Sequence, residues 1–136
     1  MSIVHQGDLA DRPWGALLWR LASKGFSGEI AVNVAGKDVR LALHQGLLVG
    51  GESPFAADGA LRLAAQSQVV SAAQVAALAG KVSGTRAEAD AVGRLAGLSL
   101  QDTARLRRRA IAQAAARTFQ VDQGPLQVDD RTSIDT

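Results

Sequence analysis

Gly25 to Ser53 reads GFSGEIAVNVAGKDVRLALHQGLLVGGES, and the spacing of its apolar residues decides the fold class. Ile30, Val32 and Val34 alternate with Ala31 and Asn33, the two-residue period of a strand with one buried face. Ala35-Gly36-Lys37 makes a tight turn. Val39, Leu41 and Leu43 then alternate with Arg40, Ala42 and His44 as a second strand. Gln45-Gly46 turns the chain again into Leu47–Val49. Three short strands joined by glycine turns predict an antiparallel meander.

Outside this stretch the period is helical. Asp11 or Arg12 opens a helix with Pro13 at an early position, where its missing N–H costs nothing. Trp14, Leu17, Leu18 and Leu21 recur at helical spacing in it, and Gly25 ends it. After Gly51, Ser53-Pro54 opens a helix around residues 57–66. Ser71 with Gln74 has capping-box spacing before a short helix ending at Gly80, and Thr85 with Glu88 repeats it before Val92 and Leu95. Ser99 caps the longest helix, which runs through Thr118. Phe119–Val121 and Leu126–Val128 read as a hairpin around Gly124-Pro125, a hairpin that can join the sheet. The order is an N-terminal helix, a meander, four helices and a hairpin, an α+β arrangement and not alternating βαβ units. One domain over residues 1–130 is expected. Residues 131–136, with only Ile134 to bury, read as a flexible tail able to continue into a linker.

Composition narrows the class of protein. The chain has 136 residues, 47% hydrophobic and 4% aromatic, so its core is built from Leu, Val and Ala. A chain this long buries roughly two-thirds of its unfolded surface. Fifteen basic residues against thirteen acidic ones leave +2, too weak a field to draw nucleic acid. The absence of cysteine excludes disulfides and thiolate metal sites, and is compatible with a cytoplasmic location. No run of 18 apolar residues predicts membrane insertion, and residues 1–13 lack the pattern of a secretory signal.

The segments GDLADRPWGALLWRLASKGFSGEIAV (7–32), VRLALHQGLLVGGES (39–53), QSQVVSAAQVAAL (66–78) and RRRAIAQAAARTFQVDQGPLQVDD (107–130) together resemble the PatA N-terminal (PATAN) domain family, over about residues 6–130. The resemblance implies a bacterial signalling adaptor that binds other proteins and often sits beside receiver domains. It assigns no catalytic residues, so none are carried over. Gln68 departs from the helical pairs of this kind, which often carry glycine at that turn, so a rebuilt turn is expected there.

The residues themselves offer little chemistry. His5 and His44 have no acid at metal-ligand spacing, and Glu29, Glu52, Asp8 and Asp11 read as solvated charges at element ends. No GxSxG elbow is present. AGKVSGT (79–85) places Lys81 wrongly for a phosphate loop and reads as a linker between helices. No catalytic residue, cofactor or metal is expected, and the chain reads as no enzyme.

The candidates are surfaces. RLRRRAIAQAAAR (105–117) gathers Arg105, Arg108 and Arg109 on one helix face, opposite a broad apolar face of Leu100, Leu106, Ala110, Ile111 and Ala114. That face is either ordinary solvated charge or a dock for an acidic protein. Arg107 falls on the apolar side and requires a carboxylate or carbonyl partner at the helix–sheet border. Trp14 and Trp19 lie far apart around their helix, so either both pack under the meander or one is free as an anchor; Phe55 is a further candidate. The function expected is a signalling adaptor or scaffold that docks a protein partner, a signalling or motility component, or self-associates as a homodimer. The contacts would be Trp14, Trp19, Phe55, Arg105, Arg108, Arg109 and an open strand edge. The alternative is a small-ligand sensor that binds a cyclic dinucleotide through its paired helices, near Arg62 and Gln68.

Overall fold

The computed structural model describes residues 3–8, 13–121 and 123–136. It contains β1 (Ile3–Asp8), α1 (Trp14–Ser23), β2 (Gly28–Val34), β3 (Lys37–His44) and β4 (Leu47–Glu52). A 3-10 turn at Ala56–Asp58 leads into α2 (Ala60–Gln66), α3 (Ala72–Leu78), α4 (Thr85–Ala96), α5 (Leu100–Thr118) and β5 (Pro125–Asp129). The fold is α+β, with an antiparallel sheet in the order β1-β5-β2-β3-β4. The meander is β2–β3–β4, and the last strand joins its sheet beside β2. The first helix starts later than expected: Pro13, placed within it by the sequence reading, is the residue before it at φ −56 and ψ 128, and Trp14 is the first helical residue. Asp11 and Arg12 lie outside the described residues.

The alternation in the quoted stretch sorts its side chains as the pleat requires. Ile30, Val32, Val34, Val39, Leu41 and Leu43 are buried with Leu126 and Val128 against Trp14 and Leu17 of α1 and Ala114 of α5. A second cluster joins Ala60, Leu63 and Ala64 of α2 to Val70, to Ala89 and Val92 of α4, and to Leu106 and Ala110 of α5. The longest helix thus carries both clusters, its end on the sheet and its start among the helices. Leu100, expected on its apolar face, is instead 92% exposed, because it is the first residue of the helix and lies ahead of both clusters. Gly51 permits the close approach, since a Cβ there would lie 3.2 Å from the Ala114 Cβ and from the Ile111 carbonyl oxygen.

Capping matches the sequence at two sites and departs from it at a third. Ser71 and Gln74 form the full capping box, and the Ser99 hydroxyl accepts from the Asp102 N–H at 3.0 Å. Thr85 and Glu88 do not cap each other. The Thr85 hydroxyl donates to the Gly51 carbonyl, and Glu88 accepts the Leu61 N–H at 2.7 Å. Tertiary partners on β4 and α2 replace the local ones, so these side chains join α4 to its neighbours.

The turn at Gln68 is not rebuilt. α1 ends with Gly25 at φ 71, where the Gly25 N–H bonds Ala22 and the Phe26 N–H bonds Leu21, a Schellman motif. α2 ends in the same pattern, with bonds from Gln68 to Ala65 and from Val69 to Ala64, and with Gln68 itself at φ 60. A glutamine occupies the left-handed conformation that glycine adopts without strain. Gln68→Gly should therefore raise stability by about 0.5 kcal/mol, the relief of strain less the added unfolded-state entropy of glycine. Urea unfolding would measure this, and a destabilised variant would show that the Gln68 side chain contributes more than its backbone costs.

Three elements differ from the sequence reading. β1 lies where no element is expected. Phe119–Val121 is not a strand: Phe119 ends α5 with φ −86 and ψ −1, and the partners of β5 are β1 and β2. The Trp14 Nε1–H donates to the Thr118 hydroxyl at 2.7 Å, which ties the end of α5 to α1 and leaves Phe119 outside. Residues 131–136 do not stand clear as a loose tail. Ile134 is buried, and the segment crosses the outer face of the sheet.

Candidate interaction surfaces

The two tryptophans separate. Trp14 is buried, its indole N–H satisfied by Thr118 and its ring centroid 6.1 Å from that of Phe119, so it is a core residue and no docking anchor. Trp19 is 74% exposed. At about 100° per residue, Gly15, Trp19 and Ala22 share one flank of α1. Gly46, in the β3–β4 turn, sits directly on the Ala22 carbonyl, where a Cβ would come within 2.2 Å. That contact closes one end of the flank with the turn itself; Leu47, 69% exposed, pairs with His44 and so takes the outer face of the sheet, away from α1. At the other end Phe119, also exposed, faces Gly15, whose added Cβ would lie 3.6 Å from the Phe119 ring. Leu47 and Phe119 carry no local signal of exposure, because both sit in apolar patterns that read as strands.

Phe55 is half-buried against the sheet core, with the Arg117 guanidinium 4.9 Å from its ring centroid and the Lys37 ammonium at 5.8 Å. Its ring is already engaged by cations. The arginine face divides. Arg105 pairs with Asp102 at 3.2 Å and Arg109 donates to the Ser67 hydroxyl at 3.2 Å, the two flanking a groove of about 190 Å³ over Val69, Leu98 and Leu106. Arg108 is exposed and does not line that groove.

Arg107 lies at the helix–sheet border. It is half-buried, 3.1 Å from the main-chain oxygen of Thr136 and 3.5 Å from that of Val49, so carbonyls and not an acid satisfy it. The edge of β4 is less open than a plain strand. Its pairing with β3 shifts register between Ala42 and Leu43, and Arg107 takes the Val49 carbonyl there.

The acidic residues turn inward to hold the fold. Glu52 pairs with Arg40 at 2.6 Å and accepts the Thr85 N–H at 3.3 Å. Asp58, buried in the 3-10 turn, takes Arg117 through both oxygens at 2.8 and 2.9 Å and the Ser53 hydroxyl at 2.5 Å. Burial alone would raise the Asp58 carboxyl, but hydrogen bonds from Arg117 and Ser53, with the Arg117 charge, outweigh that and hold it below its ordinary value. Among the described residues no three His, Asp or Glu converge as metal ligands. His44 is exposed at the end of β3, and the side chain of His5 lies outside the described residues. Arg62 lines a groove of about 390 Å³ between α2, α3 and the loop before α4, with Phe55, Val75, Ser83 and Glu88. No described helix is long and apolar enough to cross a membrane. No protein-family model, curated protein or solved structure matches the chain.

Proposed function

We propose that this chain is a non-enzymatic bacterial signalling adaptor of the PATAN kind, acting in the cytoplasm, that docks a protein partner through the α1 flank. The observation that carries the reading is Trp19, 74% exposed on a flank that ends at the exposed ring of Phe119. A tryptophan left in water over a rigid helix is a preformed anchor, because burying its ring gains much apolar area at little rotamer cost. The order of helix, meander and helices is the one expected from the first three segments that carry the PATAN resemblance, whereas the Phe119-led hairpin of the last is replaced by the single strand β5. The resemblance favours a signalling or motility component or a second copy as the partner.

The Trp19→Asp variant tests this beside the wild type, in pull-downs from the native host and in sedimentation of the pure protein. The position is exposed, so folding should persist while partner recovery or self-association falls at least about tenfold. Equal recovery removes the α1 flank from the reading, and Arg105→Glu/Arg109→Glu then puts the same question to the basic groove.

The groove at Arg62 favours a second reading, a cyclic dinucleotide sensor. Arg62 is its one cation among the described lining residues, with Glu88 on the same wall, so the charge match to two phosphates is poor. Calorimetry with cyclic di-GMP, on wild type and Arg62→Ala, decides it: micromolar binding lost in the variant would establish the sensor.

A further inference from the structure

Residues 130–136 cross the outer face of the sheet as a strap, and the surface beneath them is built to receive a short extended segment. Glu29 is 5% exposed on that face, and its Oε1 accepts the Thr132 hydroxyl at 3.1 Å, the Ser133 N–H at 3.0 Å and the Ser133 hydroxyl at 3.1 Å. Arg40 stands 3.7 Å from Glu29 and is held by Glu52, and it also donates to the Ser133 hydroxyl of the strap at 2.7 Å, so strand residues set the acceptor in place and the strap adds to it. Next along the strap, Ile134 fills a trough between β3 and β4 whose floor is Ala42 and Gly50. A Cβ at Gly50 would come within 3.0 Å of Ile134 and 2.8 Å of Thr136. At the far end Arg86 of α4 bonds the main-chain oxygen of Thr136 at 2.9 Å and pairs with Asp135 at 3.5 Å, and Arg107 of α5 bonds the same oxygen.

The fit has one gap. Asp129 lies directly opposite Glu29 in the β2–β5 pairing, on the same outer face, because Leu126 and Val128 take the core side. It is 6% exposed, and its Oδ1 is buried with no hydrogen-bond partner among the described residues. A buried acceptor left unanswered is costly, and the strap presents no donor to it.

We propose that the outer face of the sheet is a second interaction surface, occupied in the free protein by the strap and taken over by an extended segment of a partner protein. That segment supplies hydroxyl donors to Glu29, a β-branched aliphatic side chain to the Ala42–Gly50 trough, an acid to Arg86, and the donor to Asp129 that the strap lacks. Charge complementarity sets its direction, with donors over the carboxylates and acceptors over the arginines. One aliphatic side chain and a few partly solvated polar contacts hold the strap, so it opens locally far more readily than the sheet unfolds. This surface is separate from the α1 flank, and Trp19→Asp leaves it intact.

The test uses the full chain carrying Ile134→Asp, which removes the anchor of the strap, and a synthetic peptide of sequence RTSIDT, followed through the amide NMR signals of Ala42 and Gly50. The peptide should bind the variant at least about tenfold more tightly than the wild type, whose groove is occupied. Adding Gly50→Val, which fills the trough, should abolish the difference. A folded Ile134→Asp chain that ignores the peptide overturns the proposal, as does binding that survives Gly50→Val. Concentration-dependent dimers that exchange straps would make a second copy the occupant and overturn the foreign segment. Hydrogen exchange of the wild type is an independent check should the variant fail to fold. The Ser133 amide should exchange at least about a hundredfold faster than that of Leu41, and equal protection would make the strap a fixed part of the fold.

Discussion

Arg117→Ala should lower the stability of this protein by about 3 kcal/mol, because it leaves a carboxylate buried with no counter-charge. Asp58 is 5% exposed, in the 3-10 turn that carries the chain from the sheet to the helices, and Arg117 grips both its oxygens from the last turn of α5. The pair ties the entry of the helical cluster to the end of the helix lying on the sheet. The loss exceeds that of an exposed ion pair because desolvation of Asp58 is not recovered once the guanidinium has gone. The Phe55 ring loses its cation at the same time. Asp58→Leu/Arg117→Met, which removes both charges, should regain most of the stability.

The same pair predicts a pH dependence. The folded-state carboxyl of Asp58 lies below its unfolded value of 3.8. Its contribution is therefore fully present above pH 3.8 and is lost as pH falls through the lower, folded value. Urea unfolding at neutral and acidic pH checks both statements: the gap between wild type and Arg117→Ala should be wide at pH 7 and narrow in acid. A gap that does not change with pH would show that the lost stability comes from packing of the Arg117 stem.

The second large effect is expected at Gly28. A Cβ there would lie 2.0 Å from the carbonyl oxygen of Asp129 and 2.6 Å from the Phe26 ring, and φ is 155. The obstacle is backbone, so no rotamer change relieves it. Gly28→Ala must force β5 away from β2 at the first rungs of their pairing, Glu29 with Asp129 and Ile30 with Val128. A loss on the order of 3 kcal/mol or more is expected. Gly25→Ala is the control, since its φ of 71 carries the left-handed strain while nothing lies within 4 Å of the added carbon. It should cost only about 1 kcal/mol. Thermal unfolding of the two variants separates clash from strain, and equal losses would mean that β5 moves freely enough to admit a methyl group.

The parts legible in the sequence are those whose cause is local. The alternation from Ile30 to Leu43 placed one face of the meander in the core, and Ser71, Gln74 and Ser99 capped their helices through bonds to residues three positions on. Where the partner is distant, local pattern misled. Thr85 and Glu88 have capping-box spacing, yet one bonds Gly51 and the other Leu61. Phe119–Val121 looks like half of a hairpin, but the Phe119 and Gln120 N–H groups bond back to Ala116 and Arg117 in a turn, and β5 pairs instead with β1, more than a hundred residues away. The candidate surfaces divide in the same way. The angle between Trp14 and Trp19 on α1 allowed one of them to be free without saying which, and the position of Phe119 beside that flank depends on how the end of α5 packs on α1.

By itself the sequence determined the class of the fold, the meander, the helix count after it, and which strand residues face inward, because period and capping are properties of neighbouring residues. Only the tertiary structure decided the place of β1 and β5, the burial of Asp58 and Glu29, and the course of the strap. Each of these joins residues far apart in the chain, and a buried carboxylate or an unpaired strand finds its partner only after the chain has folded back on itself.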